Sequence, residues 1–428
     1  MKFKAAPRKY YSLVISFFAC LYAVFAASGG PAFGDDLSFT LAAMKGFDWA
    51  TNATNHFLYI NIMHALYSLF EWLSPNASGR LPFLLMSLLP GLLVLKYLFE
   101  IFKVLNVSRW VSGLVVAVFG FSFTFWRHNE IVEVYALNLA LNAQVLLWFV
   151  KWSRQRDYSY VLKAALLLGV AMLVHVQNVL LLPFLAFWMY SHSGLKLKEY
   201  MGPSLAFLLP SSVLVVLPLV TGSNSLSSIL FDNSFQDEVL GFQLSVLLKG
   251  FAKAIGYLLF NFGVFAVVLV LAPFKNVLAK EVRMGLLIVA IPVFGFAARY
   301  NVSDNYVFFL PCYLALAVMA GPYLQMLWKE QLRYKIIALG LVAMVPIGYA
   351  VLPQIALKTT KGKELHQQKW YKGGVYFFLW PGMNKNPGAK DLIRSIDAGL
   401  IDPKENLEIE QNAQNARDYL QLMEQQVH

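Results

Sequence analysis

The sequence feature that most constrains the fold is a series of apolar runs that recur along most of the chain. Each run is about 20 residues long, the length that a helix needs to cross the hydrocarbon core of a bilayer, whereas a membrane barrel would show alternating segments of about 10 residues. Hydrophobic residues make up 58% of the chain and charged residues only 14%, outside the usual range of soluble domains. We therefore predict an all-α polytopic membrane protein.

The positions of the basic residues predict how the chain is threaded through the membrane. Lys and Arg recur in short loops between alternate apolar runs, as expected for cytoplasmic loops, and about 11 transmembrane helices satisfy this bias. The N-terminal segment MKFKAAPRKY carries four basic residues, so we expect it in the cytoplasm, followed by an uncleaved signal-anchor helix over Tyr10–Ala27. The net charge of +11 then reflects orientation rather than binding to nucleic acid.

The pattern predicts two domains. Residues 1–352 form a transmembrane domain whose first outer loop, residues 30–80, provides the front wall of an active site. Within that loop the segment Phe57–Leu73 is apolar but short and interrupted by polar residues, which favours an interfacial helix over a span. Residues 353–428 form a tail that begins with an aromatic, interfacial part and ends in a polar helix at about Pro403–Gln426. The crossing order puts the tail outside, although lysines directly after the last span favour the cytoplasm.

Two apolar stretches carry further information about the spans. The block Val161–Tyr190 is too long for one span and is interrupted at His175–Asn178, which predicts two shorter helices that meet at the outer face. The eighth span is expected to be a single helix that ends at the inner Lys275. The two cysteines, Cys20 and Cys312, lie in or beside apolar segments, so we expect packed core residues rather than a disulfide or a zinc site.

This threading collects the unusual polar residues at the outer ends of the spans. Ionisable groups at a membrane boundary are costly to desolvate, so they usually face water, a cavity or a charged partner. Carboxylates there can act as a general base towards a hydroxyl, while Arg and His can hold a phosphate that becomes the leaving group. The residues concerned are Asp35, Asp36, His56, Arg127, His128, Glu130, Glu133, His175, Gln177, Asn178, Arg299, Asp304 and Asn305.

Each of these residues also has a structural interpretation. The adjacent Asp35 and Asp36 are candidates to cap the helix that starts at Leu37; because helical neighbours project about 100° apart, we expect one to face the site and the other to cap or bind a partner. Glu130 and Glu133 are also compatible with a solvated loop. Packing would explain His175, and a surface ion pair would explain Arg299 with Asp304.

Two further classes of function compete with an enzyme of this kind. A transporter or flippase for a lipid-linked or anionic solute would place ionisable groups near the bilayer midplane, often in two related halves. Here the polar groups gather at one end and no halves are detectable, which favours chemistry at the membrane surface. A polymerase or ligase of surface glycans would differ only in its acceptor. A divalent metal fits beside paired acids, but no His or Asp spacing demands one, so no cofactor is expected to be required.

Four segments carry a resemblance to the GT-C superfamily of polyprenyl-phosphate-sugar-dependent glycosyltransferases. GDDLSFTLAA resembles the acidic opening of protein O-mannosyltransferase-like members, and TNHFLY lies where that group often has His-Pro-Pro-x-Tyr. FTFWRHNEIVEVYALNLAL and RYNVSDNYVFFLPCYLALA are similar to segments of a bacterial family related to animal O-mannosyltransferases, the Glu-Val-Tyr-Ala-Leu piece being the most specific. The resemblance covers residues 10–330. This chain lacks both prolines after His56 and has Ser38 in place of an acidic residue.

The resemblance implies a GT-C-like bundle that binds a polyprenyl-phosphate sugar in the outer leaflet of a bacterial inner membrane, with the lipid tail between spans. Asp35 would be the base towards a hydroxyl of a protein or glycan acceptor, with Asp36 second, and Glu133 would orient the sugar or acceptor. Attack opposite the phosphate would invert the anomeric centre. Residues implied to bind substrate or phosphate are His56, Arg127, His128, Glu130, His175, Arg299, Asp304 and Asn305.

Overall fold

A computed structural model of the chain describes residues 8–26, 30–49, 56–73, 80–194, 196–221, 243–300, 302, 304–328, 331–404 and 407–425. Within these residues the regular structure is helical, apart from one isolated antiparallel bridge between Ala32 and Gly388. The predicted all-α class is confirmed.

The described helices follow one another from the N-terminus with short connections. In the first half they are α1 Arg8–Phe25, α2 Asp35–Lys45, α3 Phe57–Leu73, α4 Arg80–Val104, α5 Arg109–Gly120, α6 Phe123–Arg127, α7 Val134–Gln155, α8 Ser159–Val174, α9 Leu182–Ser193 and α10 Lys198–Ser211. In the second half they are α11 Val213–Thr221, α12 Leu244–Phe262, α13 Phe265–Leu271, α14 Lys280–Arg299, α15 Leu310–Leu327, α16 Leu332–Ala356, α17 Thr360–Gln368, α18 Val375–Leu379, α19 Ala389–Asp397 and α20 Leu407–Gln425.

Among the described residues, seven helical segments are long and apolar enough to cross a membrane. They are Arg80–Val104, Val134–Gln155, Lys198–Thr221, Leu244–Phe262, Lys280–Arg299, Asn305–Leu327 and Leu332–Ala356. Shorter apolar helices cover Lys9–Phe25, Arg109–Gly120, Ser159–Val174 and Phe265–Phe274. The protein is therefore a multi-pass membrane protein, while the count of about 11 crossings stays a prediction.

Two predicted details of the spans have different outcomes. The polar interruption at His175 is real: α8 ends at Val174, His175 has an extended backbone, and a 3-10 helix over Val176–Leu181 leads into α9. The single eighth span is wrong, because α12 ends at Phe262 and α13 begins after Gly263, whose φ of 53° breaks the helix.

The core of the bundle lies around α7 and α15, the most buried of the long helices. α7 packs between α4 and α8, and α15 packs against α14. Large aromatic side chains such as Trp126, Trp152 and Tyr313 fill this core. Helices α10, α11 and α16 instead leave most of their apolar surface exposed, as expected for helices that face lipid tails.

A second, smaller core joins the C-terminal tail to α2. Leu37 and Leu41 pack against Tyr371, Ile409 and Tyr419, together with other tail residues. Backbone contacts continue this interface, because the Ala389 amide donates to the Pro31 carbonyl at 2.9 Å and the Gly34 amide donates to the Asn412 side chain at 2.8 Å. The tail therefore lies at the same end of the bundle as the first loop. Its last described helix begins at Leu407, later than the predicted Pro403.

Candidate active site

Three carboxylates from separate parts of the chain meet at the end of the bundle covered by the tail. Asp35 is the first residue of α2, Glu133 is the N-cap of α7, and Asp304 precedes the 3-10 helix Asn305–Phe309. They are close enough to influence one another's protonation. Because each of the three lies at a helix N-terminus, the backbone amides there partly offset the repulsion among the three acids.

The Asp35 side chain is the most available of the three acids. Water reaches its carboxylate, yet protein atoms surround it closely, so it lies in a hollow rather than on an open surface. Burial raises its pKa to about 6, Asp304 adds to this increase, and Lys372 opposes it. A carboxylate of this pKa is a stronger base than an ordinary aspartate and is still largely ionised at neutral pH.

The neighbouring Asp36 holds the first loop in place. Its side chain is only 3% exposed, and one of its oxygens accepts hydrogen bonds from the Ala32 amide at 2.8 Å and from Arg80 at 3.1 Å. Its other oxygen accepts from the Val132 amide at 3.2 Å. Asp36 thereby links α2 to α4 and to the residue directly before Glu133. Of the two adjacent acids, Asp35 faces the hollow and Asp36 binds partners.

Glu133 presents a free oxygen inside the protein. The residue is 9% exposed, and its Oε2 has no hydrogen-bond partner. Burial raises the pKa of Glu133 well above its ordinary value, and repulsion from Asp35 and Asp304 raises it further. In its protonated form this side chain can donate a hydrogen bond to a bound hydroxyl, and in its ionised form it can accept one.

Arg127 is buried at 2% exposure beneath the tail. Its Nη1 donates to the Phe377 carbonyl, and its guanidinium lies over the Phe377 ring, 4.1 Å from the centroid. Its Nη2 has no hydrogen-bond partner. Burial lowers the pKa of Arg127, but the ordinary value is so high that the group stays charged. A buried cation with an unused donor fits an anionic ligand.

Glu130, predicted to bind substrate or phosphate, binds the tail instead. It is fully buried, and its two oxygens accept hydrogen bonds from the Trp126 indole and from the Met383 amide, the latter at 2.9 Å. Burial raises the pKa of Glu130 well above its ordinary value. Because both oxygens are occupied, Glu130 is an anchor for the tail loop at Met383 rather than a ligand for substrate.

The three predicted histidines are close together and uncharged. The rings of His56 and His175 are 4.9 Å apart, and the Tyr135 ring lies 5.5 Å from His175 and 5.2 Å from His128. Burial lowers the pKa of His56 to about 4 and that of His128 to about 3, and it also lowers the pKa of His175. Neutral rings can hydrogen-bond a sugar, but they do not neutralise a phosphate, which was the predicted role of His128.

The late loop completes this end of the bundle. Asn305 is buried, and its side-chain oxygen accepts a hydrogen bond from the Tyr257 hydroxyl at 3.1 Å. Burial raises the pKa of the adjacent Asp304. Arg299 is the last residue of α14 and is partly exposed, five positions before Asp304. The predicted late-loop residues are thus at the same end of the bundle as Asp35.

Lys372 of the tail also belongs to this site, and sequence reasoning missed it. Its side chain is 18% exposed, pairs with Glu408 and lies 4.9 Å from the centroid of the Phe33 ring. Its charge lowers the pKa of both Asp35 and Asp304. The only sequence signal was its position before Gly373, whose φ of 113° makes a tight turn. Its proximity to Asp35 depends on contacts between distant parts of the chain.

The described residues contain no group of three or more His, Cys, Asp or Glu side chains arranged to hold a metal ion. The three acids of the site affect one another electrostatically without forming such a group. Positive charge at this end of the bundle comes instead from Arg127 and Lys372.

Comparison with known proteins places this geometry among membrane glycosyltransferases. Residues 34–198 match the model of the protein O-mannosyl-transferase TMEM260 N-terminal domain. ArnT from Cupriavidus metallidurans bound to undecaprenyl phosphate has a TM-score of 0.58 at 14% identity, over 98% of this chain and 76% of ArnT. The apo state of ArnT gives 0.56 at 15% identity, over 96% and 75% of the two chains. The arabinofuranosyltransferase AftD from Mycobacteria gives 0.54 at 14% identity, over 80% of this chain and 26% of AftD.

No curated protein matches the chain in sequence. At 14–15% identity the structural similarity defines the fold, and it extends over almost the whole chain in the case of ArnT. The family match covers the segment that contains Asp35, Arg127 and Glu133. With this fold and this N-terminal domain, the protein belongs to the GT-C superfamily of membrane glycosyltransferases.

Proposed function

We propose that the protein transfers a sugar from a polyprenyl phosphate to an acceptor hydroxyl, with inversion at the anomeric carbon. The observation that carries this proposal is the Asp35 carboxylate, which is open to water in a hollow and lies near a tail lysine. Asp35 can receive a proton there, and Lys372 can meet negative charge. Transfer of a sugar from a phosphate needs both of these functions in one place.

The proposed reaction begins at the acceptor hydroxyl. Asp35 removes its proton while the oxygen bonds to the anomeric carbon of the donor sugar. The bond between that carbon and the phosphate oxygen breaks, and its electron pair leaves with the phosphate as a polyprenyl phosphate monoester. Because attack occurs opposite the departing phosphate, the anomeric configuration inverts. The free Oε2 of Glu133 is suited to orient a hydroxyl of the sugar or acceptor.

The departing phosphate needs fixed positive charge. Arg127 offers a buried guanidinium whose Nη2 is unused, and Lys372 approaches from the tail. Arg299, at the end of α14, provides a third cation at this end of the bundle. We assign the neutral His56 and His175 to hydrogen bonds with the sugar or acceptor rather than to the phosphate charge.

The proposed setting is the outer face of a bacterial inner membrane. The basic loops predict a cytoplasmic N-terminus, which would put the α2 end of the bundle on the outer side. The tail packs on α2, so it would share that side and would cover the site. We propose that no metal is required, because two protein cations can take the role that a divalent ion has in other phosphate-transferring enzymes.

The proposed function is tested by Asp35→Asn in protein reconstituted with a polyprenyl-phosphate sugar. Undecaprenyl phosphate mannose is the first donor to use, and the released lipid phosphate is the measured product. Loss of a general base lowers kcat by about 100-fold to 10,000-fold, while the thermal unfolding midpoint should stay unchanged because Asp35 is open to water. Asp397→Asn, at an exposed position of α19, is the matched control. Full activity of the Asp35 variant would overturn the assignment.

A further inference from the structure

Helix α12, Leu244–Phe262, is apolar and long enough to cross a bilayer, but its contacts place it elsewhere. Near its N-terminus, Gly250 touches the backbone of Ala298, the residue before the last of α14. In its middle, the Tyr257 hydroxyl binds Asn305 at 3.1 Å. Near its C-terminus, Asn261 accepts a hydrogen bond from the Thr124 amide at 2.8 Å. All three partners belong to the end of the bundle that holds Asp35.

The depth of each contact can be estimated from the helices that it touches. The Phe251 ring lies 5.4 Å from that of Phe294, five residues before the end of α14. The Phe262 ring lies 5.1 Å from that of Tyr313, within the first turn of α15. At about 1.5 Å per residue, these partners lie within about 10 Å of the helix ends. A crossing helix would instead have one end near the opposite surface, so α12 runs along the membrane surface.

The side chains of α12 are divided in a way that fits this position. Gly250 and Ala254 are buried on one side, against the bundle. Lys249 and Lys253, four residues apart, are exposed on a second side. A third side carries exposed apolar residues at helical spacing, and by the angle of 100° per residue the three sides are about 120° apart. These apolar residues are Leu244, Leu248, Phe251, Ile255 and Leu259.

An amphipathic helix with lysines on one side and large apolar side chains on another lies in a membrane interface, with its apolar face about 5–10 Å below the headgroups. We propose that α12 lies in the headgroup region of the leaflet next to the active site, where Lys249 and Lys253 bind the phosphates of anionic phospholipids. Tyr257 is one turn from Lys253 and binds the residue beside Asp304, so the bound headgroups would border the site.

The orientation of α12 is tested by cysteine labelling in nanodiscs. Ser245, Ala252 and Gly256 are each replaced by Cys in a Cys20→Ser background, with Cys312 buried and retained. A membrane-impermeant maleimide should react with all three at similar rates. In a crossing helix, Ala252 and Gly256 would lie in the hydrocarbon core and react at least about tenfold more slowly than Ser245. That gradient would overturn the interfacial placement.

The lipid partner is tested with the double variant Lys249→Gln/Lys253→Gln. Native mass spectrometry counts the phosphatidylglycerol bound to protein from vesicles of phosphatidylcholine and phosphatidylglycerol. Each lysine near an anionic membrane surface should account for about a fivefold change in that binding. The control Lys385→Gln/Lys390→Gln removes the same charge from exposed tail positions and should leave it unchanged.

Two outcomes would contradict the proposal. Equal phosphatidylglycerol binding by the wild-type and Lys249/Lys253 variant proteins would exclude anionic phospholipid as the partner. A raised KM for undecaprenyl phosphate mannose with unchanged phosphatidylglycerol binding would assign the two lysines to the donor lipid instead. Both measurements of lipid binding and labelling are independent of catalysis, so they stand whether or not Asp35 acts as the base.

Discussion

Arg80, at the start of α4, donates a hydrogen bond of 3.1 Å to the Asp36 carboxylate inside the protein. This buried pair ties the first loop to the bundle. Removal of one partner from a buried ion pair leaves the other charge unpaired and costs about 3–5 kcal/mol. We therefore predict that Asp36→Asn lowers the thermal unfolding midpoint strongly, whereas Asp35→Asn does not, and differential scanning fluorimetry in detergent will separate the two.

A second measurement isolates the pair itself. In the double variant Asp36→Asn/Arg80→Met, neither charge is left without its partner, so the combined loss of stability should be smaller than the sum of the single losses. Additive losses would show that Asp36 acts through its two backbone partners rather than through Arg80.

The Glu130 carboxylate predicts how the tail is held. It accepts the Met383 amide and the Trp126 indole, and a glutamine has only one oxygen to offer these two donors. Glu130→Gln should cost about 1–3 kcal/mol for the donor that is left unpaired. The measurements are thermal unfolding and limited proteolysis, in which cleavage after residue 353 should become faster. The exposed Glu424→Gln is the control, and equal cleavage in both variants would exclude Glu130 as the anchor.

Local sequence patterns predicted those parts of the fold that depend on neighbouring residues. The break at His175 followed from the length of one apolar block, and Phe57–Leu73 forms a helix with the predicted bounds. The 100° angle between helical neighbours predicted that only one of Asp35 and Asp36 faces the site. Which of them does so depends on Arg80 and on the amides of Ala32 and Val132, and no local pattern contains that information.

The remaining features depend on contacts between distant segments. Lys372 reaches the site because the tail packs against α2, and the basic cluster around it resembled a cytoplasmic flank. Helix α12 has the composition of a span, and only its contacts with Ala298 and Thr124 show where it lies. Glu130 and Glu133 are equally acidic in the sequence. The Met383 amide, contributed from the tail, occupies one of them and leaves the other free.

Metal dependence gives a third prediction. Arg127 and Lys372 carry positive charge at the site, and the described residues provide no group of three metal ligands. Sugar transfer by the reconstituted protein should therefore persist after dialysis against EDTA. The control is Arg127→Gln, whose activity should fall by about 100-fold or more because a group that stabilises transition-state charge is lost. Activity that EDTA abolishes and Mg²⁺ or Mn²⁺ restores would contradict the proposal.

The pH dependence of transfer provides the sharpest test of Asp35. A general base must be ionised, so kcat/KM should fall as the pH drops through about 6, the pKa of Asp35 in the folded protein. Its neighbours should move this limb in opposite directions. Asp304 raises the pKa of Asp35, so Asp304→Asn should shift the limb to lower pH. Lys372 lowers that pKa, so Lys372→Gln should shift the limb to higher pH. The midpoint of the limb is the measured quantity, because both variants also change the overall rate. Shifts in the same direction, or a limb that neither variant moves, would assign the titration to a group other than Asp35.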